Sequence, residues 1–413
     1  MDFDALTHDD PEVAELILAE HRRQRDTLDL IASENLCPRA VREVMASLLT
    51  DKYAEGYPGR RWYGGCEVVD EVERLAIARG KALFGCEHIN VQPHSGSQAN
   101  MAVYFAALEP GDTILSMNLA HGGHLTHGQE SNFSGRLYRI VHYGVSPETE
   151  RIDYDALARQ AREVRPAMLV GGASSYPRAI DVARMADIAH DVGARLLIDM
   201  AHFAGLVVGG VHPDPVPVAD FVTATTHKTL RGPRGGLVIC KKEDARHIDH
   251  TVFPGIQGGP LMHVIAGKAV SFALAMAEEF RTYQQRVVAN CRAMADEMAL
   301  LGYRLVSGGT DTHLFLVDLR PMHLTGARVQ AWLGSAGIVT NKNVIPFDDQ
   351  PPSDPSGVRL GTPSLTSRGA DEADVRQAAR WIDRVLRASD PSAEAERLRP
   401  EVVDFCRSHP IPE

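Results

Sequence analysis

The sequence predicts an α/β protein built on a mainly parallel central sheet, with a smaller α+β domain at its C-terminal end. Short apolar runs at Ala167–Gly172, Arg195–Met200 and Phe221–Ala224 carry the first part of this expectation, because a helical pattern over Val182–Asp191, closed by Gly193, separates the first two. Strand, helix and strand at that spacing form a right-handed crossover, which makes the strands parallel. After about Ala273 the chain changes character. A long helical stretch leads to one strand candidate, Leu314–Leu319, and then to helix-rich Ala370–Ser389. The 413 residues leave room for two or three units. The boundaries expected are an N-terminal arm over 1–50, a large domain over 51–275 and a small domain over 276–413.

Within the arm, Val13, Leu16, Ile17 and Leu18 precede a charged stretch from Glu20 to Asp26, so the first thirty residues read as helical. Asp51–Cys66 mixes glycines with aromatics too irregularly for a helix and reads as a dense loop. Lys and Arg number 43 against 54 Asp and Glu, a net charge of −11. That balance argues against a nucleic-acid or anionic-membrane binder. No apolar run reaches the roughly 18 residues of a membrane span, and the acidic amino terminus lacks the pattern of a signal peptide. Cys37, Cys66, Cys86, Cys240, Cys291 and Cys406 form no CxxC pair and read as reduced thiols of a cytoplasmic protein.

Chemistry concentrates in a few segments. Lys228 lies in Thr225–Gly236, directly after a predicted strand and crowded by Arg231 and Arg234. A lysine so placed has a lowered pKa and suits Schiff-base chemistry; a solvent-exposed basic loop is the competing reading. Asp199 ends an apolar strand, where an unpaired carboxylate is costly. The protonated ring nitrogen of pyridoxal 5′-phosphate would supply its partner, with His202 in reach of the ring's phenolic oxygen. An N-cap aspartate is the rival role. His94–Asn100 runs from a strand into a helix, and its small residues free N–H groups for a phosphate, although Ser-Gly-Ser is also an ordinary cap. Neither a dinucleotide fingerprint nor a P-loop lysine is present.

His121, His124 and His127 recur every third residue and raise a metallohydrolase as the rival from another class. Gly122 and Gly123 interrupt any helical ligand face and no HExxH follows. An imidazole stacked on an aromatic cofactor is preferred, and no metal is expected. In the dense loop, Tyr53, Glu55 and Tyr63 are the reactive groups. Glu55 against an apolar wall suits a proton carrier, whereas a hydrogen-bonded structural loop is the plainer alternative. Arg359, between small residues in Gly357–Thr362, suits a bidentate carboxylate clamp or is one more surface arginine.

Taken in order, Leu30–Asn35, Lys52–Gly59, Val91–Gly96, Asn118–Gly128, Asp199–His202, Thr225–Lys228, Phe253–Pro260 and Asn341–Asn343 resemble the serine hydroxymethyltransferases, fold-type-I pyridoxal-phosphate transferases. The resemblance implies reversible conversion of L-serine and tetrahydrofolate to glycine and 5,10-methylenetetrahydrofolate. It implies Lys228 as the Schiff-base lysine, Asp199 on the pyridine nitrogen, His202 on the phenolic oxygen, and His124 stacked on the ring. Ser95, Gly96 and Ser97 would cradle the phosphate, with Ser174 also at the cofactor. Tyr53, Gly258 and Gly259 would come from a second subunit, in a homodimer or tetramer with shared active sites. Arg359 and Ser33 would bind the substrate carboxylate. Glu55 and Tyr63, again from the second subunit, would handle the hydroxyl proton and position the substrate. Thr225 and His227 would line the site beside the lysine. Leu119, Gly123, Leu125 and Asn343 would bracket the folate pterin.

Several positions depart from the family pattern: Trp62 for tyrosine, Cys37-Pro38, Ala224, the stretch Pro351–Gly357, Ser364 and Ser367. They fall around the folate entrance and the substrate side chain, which keeps two alternatives open. One is an α-methylserine hydroxymethyltransferase; the other is a folate-independent β-hydroxy-amino-acid aldolase or transaldolase.

Overall fold

The apolar runs in the middle of the chain form the centre of a seven-stranded sheet in the computed structural model, which describes residues 4–412. Its strands are β1 (His88–Asn90), β2 (Thr113–Met117), β3 (Arg139–Tyr143), β4 (Met168–Gly171), β5 (Arg195–Asp199), β6 (Phe221–Thr225) and β7 (Gly236–Cys240). Their spatial order is β1-β7-β6-β5-β4-β2-β3. Strands β2 to β6 pair in parallel, while β7 runs antiparallel to both of its neighbours. The connection from Thr225 to Gly236 is shorter than the dozen or so residues a parallel crossover needs, so β7 returns beside β6 in the opposite sense. Every residue of β4, β6 and β7 is buried. Helices cover both faces, which is why these strands read as unbroken apolar runs and not as alternating ones.

Four short strands make the second sheet: β8 (Arg304–Leu305), β9 (Leu314–Asp318), β10 (Asn341–Asn343) and β11 (Gly357–Gly361). Their order is β8-β9-β11-β10, antiparallel throughout. Phe315, Leu333, Ile382 and Leu398 lie at the heart of its core, and Leu28 and Leu30 of the amino-terminal segment join them. The helical reading of the first thirty residues therefore holds only as far as Arg25. Helices Asp4–Asp9 and Pro11–Arg25 are followed by a strand, Leu28–Asp29, that pairs in parallel with Ile338–Val339. Helix Glu278–Leu300 serves both cores: Phe280, Tyr283 and Val287 pack into the large one, Cys291, Met294 and Met298 into the small one. Arg178 fastens the two together, bonding Asp311 at 3.0 Å, the Ser307 hydroxyl at 3.0 Å and the Ser307 carbonyl at 2.6 Å.

The dense loop after Asp51 is held from inside. Arg61 has a side chain only 3% exposed and donates to Asp70 at 2.8 Å, to Glu73 at 2.6 Å, and to the carbonyls of Ala54 and Gly56 at 2.8 Å each. Glu73 also accepts from Gln92 at 2.7 Å, which ties the loop to the segment leaving β1. Removing one member of a buried ion cluster strands the others without compensation. Arg61→Met is therefore expected to cost about 3–5 kcal/mol in urea unfolding, against about 0–1 kcal/mol for the exposed Arg39→Met control.

Candidate active site

A cavity of about 210 Å³ opens beyond the carboxyl ends of β5 and β6, the place where parallel sheets gather their functional groups. Ser95, Gly96, Ser97, His124, Ser174, Asp199, His202, Thr225, His227 and Lys228 all line it. These are the residues that the sequence assigns to the cofactor and the catalytic lysine, apart from the group implied to come from a second subunit.

Lys228 sits in a turn that β6 and β7 force to be tight. The Thr226 carbonyl accepts from Gly232 at 2.6 Å, and its hydroxyl donates to the Pro233 carbonyl at 2.5 Å. Asn35 donates to the Lys228 carbonyl at 3.0 Å, and Asn35 is itself gripped by Ser367 and Tyr283 at 2.7 and 2.9 Å. Burial pulls the Lys228 ammonium down to about 8; Asp199 opposes this, while Arg359 and Arg234 add to it. The lowering expected from sequence is present, but one of its agents differs. Arg231 turns away onto the face of Tyr283, 4.7 Å from the ring centre, and Arg359 from the second sheet takes its place.

Asp199 is buried and accepts three hydrogen bonds: from Asn100 at 2.8 Å, from His127 at 3.1 Å and from the Ala201 N–H at 3.0 Å. Burial alone pushes a carboxylate up. Here the His127 bond and charge, the His124 charge and the Asn100 bond outweigh it and hold the group well below the usual carboxylate range. Oδ1 caps the following turn, as the N-cap reading expects, while Oδ2 meets His127 and Asn100. His124 accepts from the Thr126 N–H at 3.2 Å, and burial pulls its ring down to about 4. The evenly spaced histidine trio does not assemble: His121 turns aside, accepting from the Val145 N–H at 3.1 Å. The ligand atoms of His124, His127 and Asp199 do lie within 4.8 Å of one another, with His127 committed to Asp199.

Ser95 caps helix Gly96–Ala107, accepting from the Gln98 N–H at 3.2 Å. The first-turn N–H groups of Gly96 and Ser97 have no intrahelical acceptor and suit an anion. The cradle is packed tightly: a Cβ at Gly236 would strike the Ser95 carbonyl, and one at Gly96 would lie 2.6 Å from the Thr225 methyl. Lys268, buried, donates to the carbonyls of Val91, Pro93 and Gly236 at 2.6, 3.1 and 2.7 Å and fixes the strand that leads into the cradle. Arg359 reaches the site from β11. It is 9% exposed and bonds the Ser174 carbonyl at 2.7 Å, Asn341 at 3.1 Å and Ser33 at 3.3 Å. No carboxylate faces it among the described residues, and burial draws it down to about 10. A buried guanidinium held only by neutral groups suits an anionic ligand.

Tyr53, Glu55, Tyr63, Gly258 and Gly259 do not line this cavity. They form their own cluster: Tyr53 and Tyr63 meet edge-to-face at 5.2 Å, Gly259 lies against Tyr53, and Gly258 against Glu55. Tyr53, Trp62 and Tyr63 are 55%, 77% and 48% exposed. Gln257 joins this cluster to the cradle by donating to the Gln92 carbonyl at 3.0 Å and accepting from the His94 N–H at 3.0 Å. Leu119 and Leu125 stand exposed, Gly123 packs on the Met117 carbonyl, and Asn343 folds its amide onto the Val344 carbonyl at 2.6 Å. Sequence reasoning did not single out Asn100, Lys268 or His313 and gave His127 no role at Asp199. The signal for Asn100 and Lys268 was a polar side chain flanked by small or apolar residues within its helix.

A lysine of lowered pKa, a carboxylate held ionised and an anion cradle at the strand ends of a mostly parallel sheet define a lysine-centred α/β transferase. The comparisons agree. The family model described as serine hydroxymethyltransferase matches residues 6–382. A protein named serine hydroxymethyltransferase from Acidobacterium capsulatum is 55% identical over 407 residues, covering 98% of this chain and 95% of that one. The chain belongs to the serine hydroxymethyltransferase family.

The Lys228 amine attacks a carbonyl only when neutral. In protein stripped of small molecules, borohydride trapping of an aromatic aldehyde on Lys228 is therefore expected to speed up as pH rises toward about 8 and to level off above it. A free lysine, at about 10.4, would still be accelerating there.

Proposed function

We propose that the chain is a pyridoxal-phosphate-dependent serine hydroxymethyltransferase that moves the hydroxymethyl carbon of L-serine to tetrahydrofolate as a cytoplasmic homodimer. One observation carries the reading: Lys228, with its lowered pKa, and Asp199, held ionised, face a single cavity that has an anion cradle at its edge. The residues fit the cofactor. The N–H groups of Gly96 and Ser97 suit its phosphate, Asp199 its ring nitrogen, and His202 its phenolic oxygen. His124 supplies a flat, neutral ring for stacking. When bound, pyridoxal phosphate supplies an electron sink for the bonds at the substrate Cα.

The chain's own groups set the rest. Arg359, with Ser33, grips the serine carboxylate and so selects which Cα bond stands across the ring plane. Asp199 keeps the ring nitrogen protonated. Lys228, poised near neutrality, releases and recovers the site by gaining and losing one proton. Tyr53, Glu55, Tyr63, Gly258 and Gly259 complete the pocket of a second copy, Glu55 carrying the hydroxyl proton. Their exposure and separation from the chain's own cavity support this sharing. Leu119 and Leu125, exposed beside Gly123, offer apolar surface for a pterin. The six cysteines are free, and no helix among the described residues is long and apolar enough to cross a membrane.

Purified protein is expected to sediment as a dimer and to form glycine from serine only with tetrahydrofolate present, while Lys228→Ala loses the visible band of the lysine-bound cofactor. Full-rate turnover of α-methylserine or threonine without tetrahydrofolate would favour the aldolase alternative. Arg359→Lys is expected to raise KM for serine about 10–100-fold, because a charge-assisted bond contributes roughly 1.5–3 kcal/mol. The effect on kcat should be smaller if the grip is made before the chemical step.

A further inference from the structure

His313 lies at the entry to β9, on the second sheet, yet its ring meets His202 from the large domain. The two rings are stacked at 26° with centres 5.5 Å apart, and His202 Nδ1 lies 3.3 Å from His313 Nε2. Both residues are buried, at 4% and 1% exposure. The loop before His313 is pinned to the large domain: Asp311 donates its N–H to the Pro177 carbonyl at 2.9 Å, and Thr310 donates to the same carbonyl at 3.1 Å. The charged and titratable groups facing the pair are Lys228, Arg359, His124 and His212. With two cations close by and no carboxylate among these neighbours, burial keeps both imidazoles neutral.

Two neutral imidazoles in this contact share one hydrogen, which leaves two arrangements. Either His202 donates from Nδ1 and turns a bare Nε2 toward the cavity, or His313 donates from Nε2 and His202 keeps its hydrogen on Nε2. The far nitrogen of His313 separates them, because His313 Nδ1 is buried and has no hydrogen-bond partner among the described residues. A stranded interior N–H is rarer than a stranded acceptor, so Nδ1 is the bare nitrogen and the hydrogen of His313 is on Nε2. It donates to His202 Nδ1. The neutral His202 then carries its own hydrogen on Nε2, which has no bond within the described chain, on a ring that lines the cavity.

We propose that His313 is a positioning residue that sets the tautomer of His202, so that His202 presents an N–H donor to the phenolic oxygen of the cofactor. This rests on the cofactor reading above. A donor at that oxygen favours its anionic form, as a hydrogen bond to any charged form does. The opposite tautomer would offer only an acceptor and favour the neutral phenol. The cofactor's electronic state thus depends on a ring that never touches it, contributed by the other sheet.

The test compares wild type, His313→Leu and His313→Gln as holoenzymes by absorbance against pH. Leucine removes the donor, so the titration midpoint of the lysine-bound cofactor band is expected to rise by about one unit, tenfold in proton affinity, with more of the short-wavelength phenol form. Glutamine can still donate to Nδ1 and should stay near wild type. An unchanged midpoint in His313→Leu at full cofactor occupancy overturns the proposal. Should the leucine variant not fold, neutron diffraction of the wild type decides: hydrogen on His202 Nε2 supports the proposal, and hydrogen on His202 Nδ1 overturns it. Failure of the cofactor reading looks different, since the wild type would then show no lysine-bound band.

Discussion

The site depends on keeping one buried carboxylate charged. Asp199 lies where burial alone would neutralise it, and its hydrogen-bonded neighbours hold it ionised instead. His127 does most of the holding, Asn100 adds a further hydrogen bond, and the Asn100 side chain is not free to move. It accepts from Thr223 of β6 at 2.6 Å and donates to Thr126 at 2.8 Å. Asn100 stands one turn into the helix whose first residues form the anion cradle. A single helix therefore carries both the N–H groups of the anion cradle and the amide that bonds Asp199, and the distance between them is fixed by helical geometry.

Positive charge is arranged with the same economy. Lys228 and Arg234 line one cavity, and Arg359 bonds the carbonyl of Ser174 at its wall, in a protein with a net charge of −11. Burial, with Arg359 and Arg234 adding to it, brings Lys228 down to about 8, within reach of losing its proton. Arg359 has no such freedom, because guanidinium stays charged even when its pKa falls to about 10. One cation is left able to exchange a proton, and the other stays a fixed charge with only neutral hydrogen-bond partners among the described residues.

Much of this was legible in the sequence because the site is built from segments contiguous in the chain. Thr225–Lys228, Asp199–His202 and His94–Ser97 each end a strand, and a parallel sheet brings strand ends together. What stayed hidden depends on side chains meeting across elements. His127 looked like one of a spaced trio, and only the turn at Gly122 sends His121 elsewhere. Arg231 and Arg234 looked like equal neighbours of the lysine until Tyr283 claimed the first. His313 and Lys268 carry no local motif, since their partners are respectively an imidazole more than a hundred positions away and three backbone carbonyls. The antiparallel β7 was implicit in the length of one connection, but the apolar run alone has no direction.

Helix Glu278–Leu300 packs one end into each core, and Leu28 and Leu30 pack back into the core formed otherwise by the C-terminal third. Between them they make the molecule indivisible. Cutting the chain near residue 276 would strip Phe280, Tyr283 and Val287 from the upstream fragment and leave the downstream one without its first strand. Neither piece could close its interior: the large core needs the chain as far as Val287, and the small core needs it as far as Cys406. The small core is thus the last to be completed, although two of its members, Leu28 and Leu30, are among the first residues made.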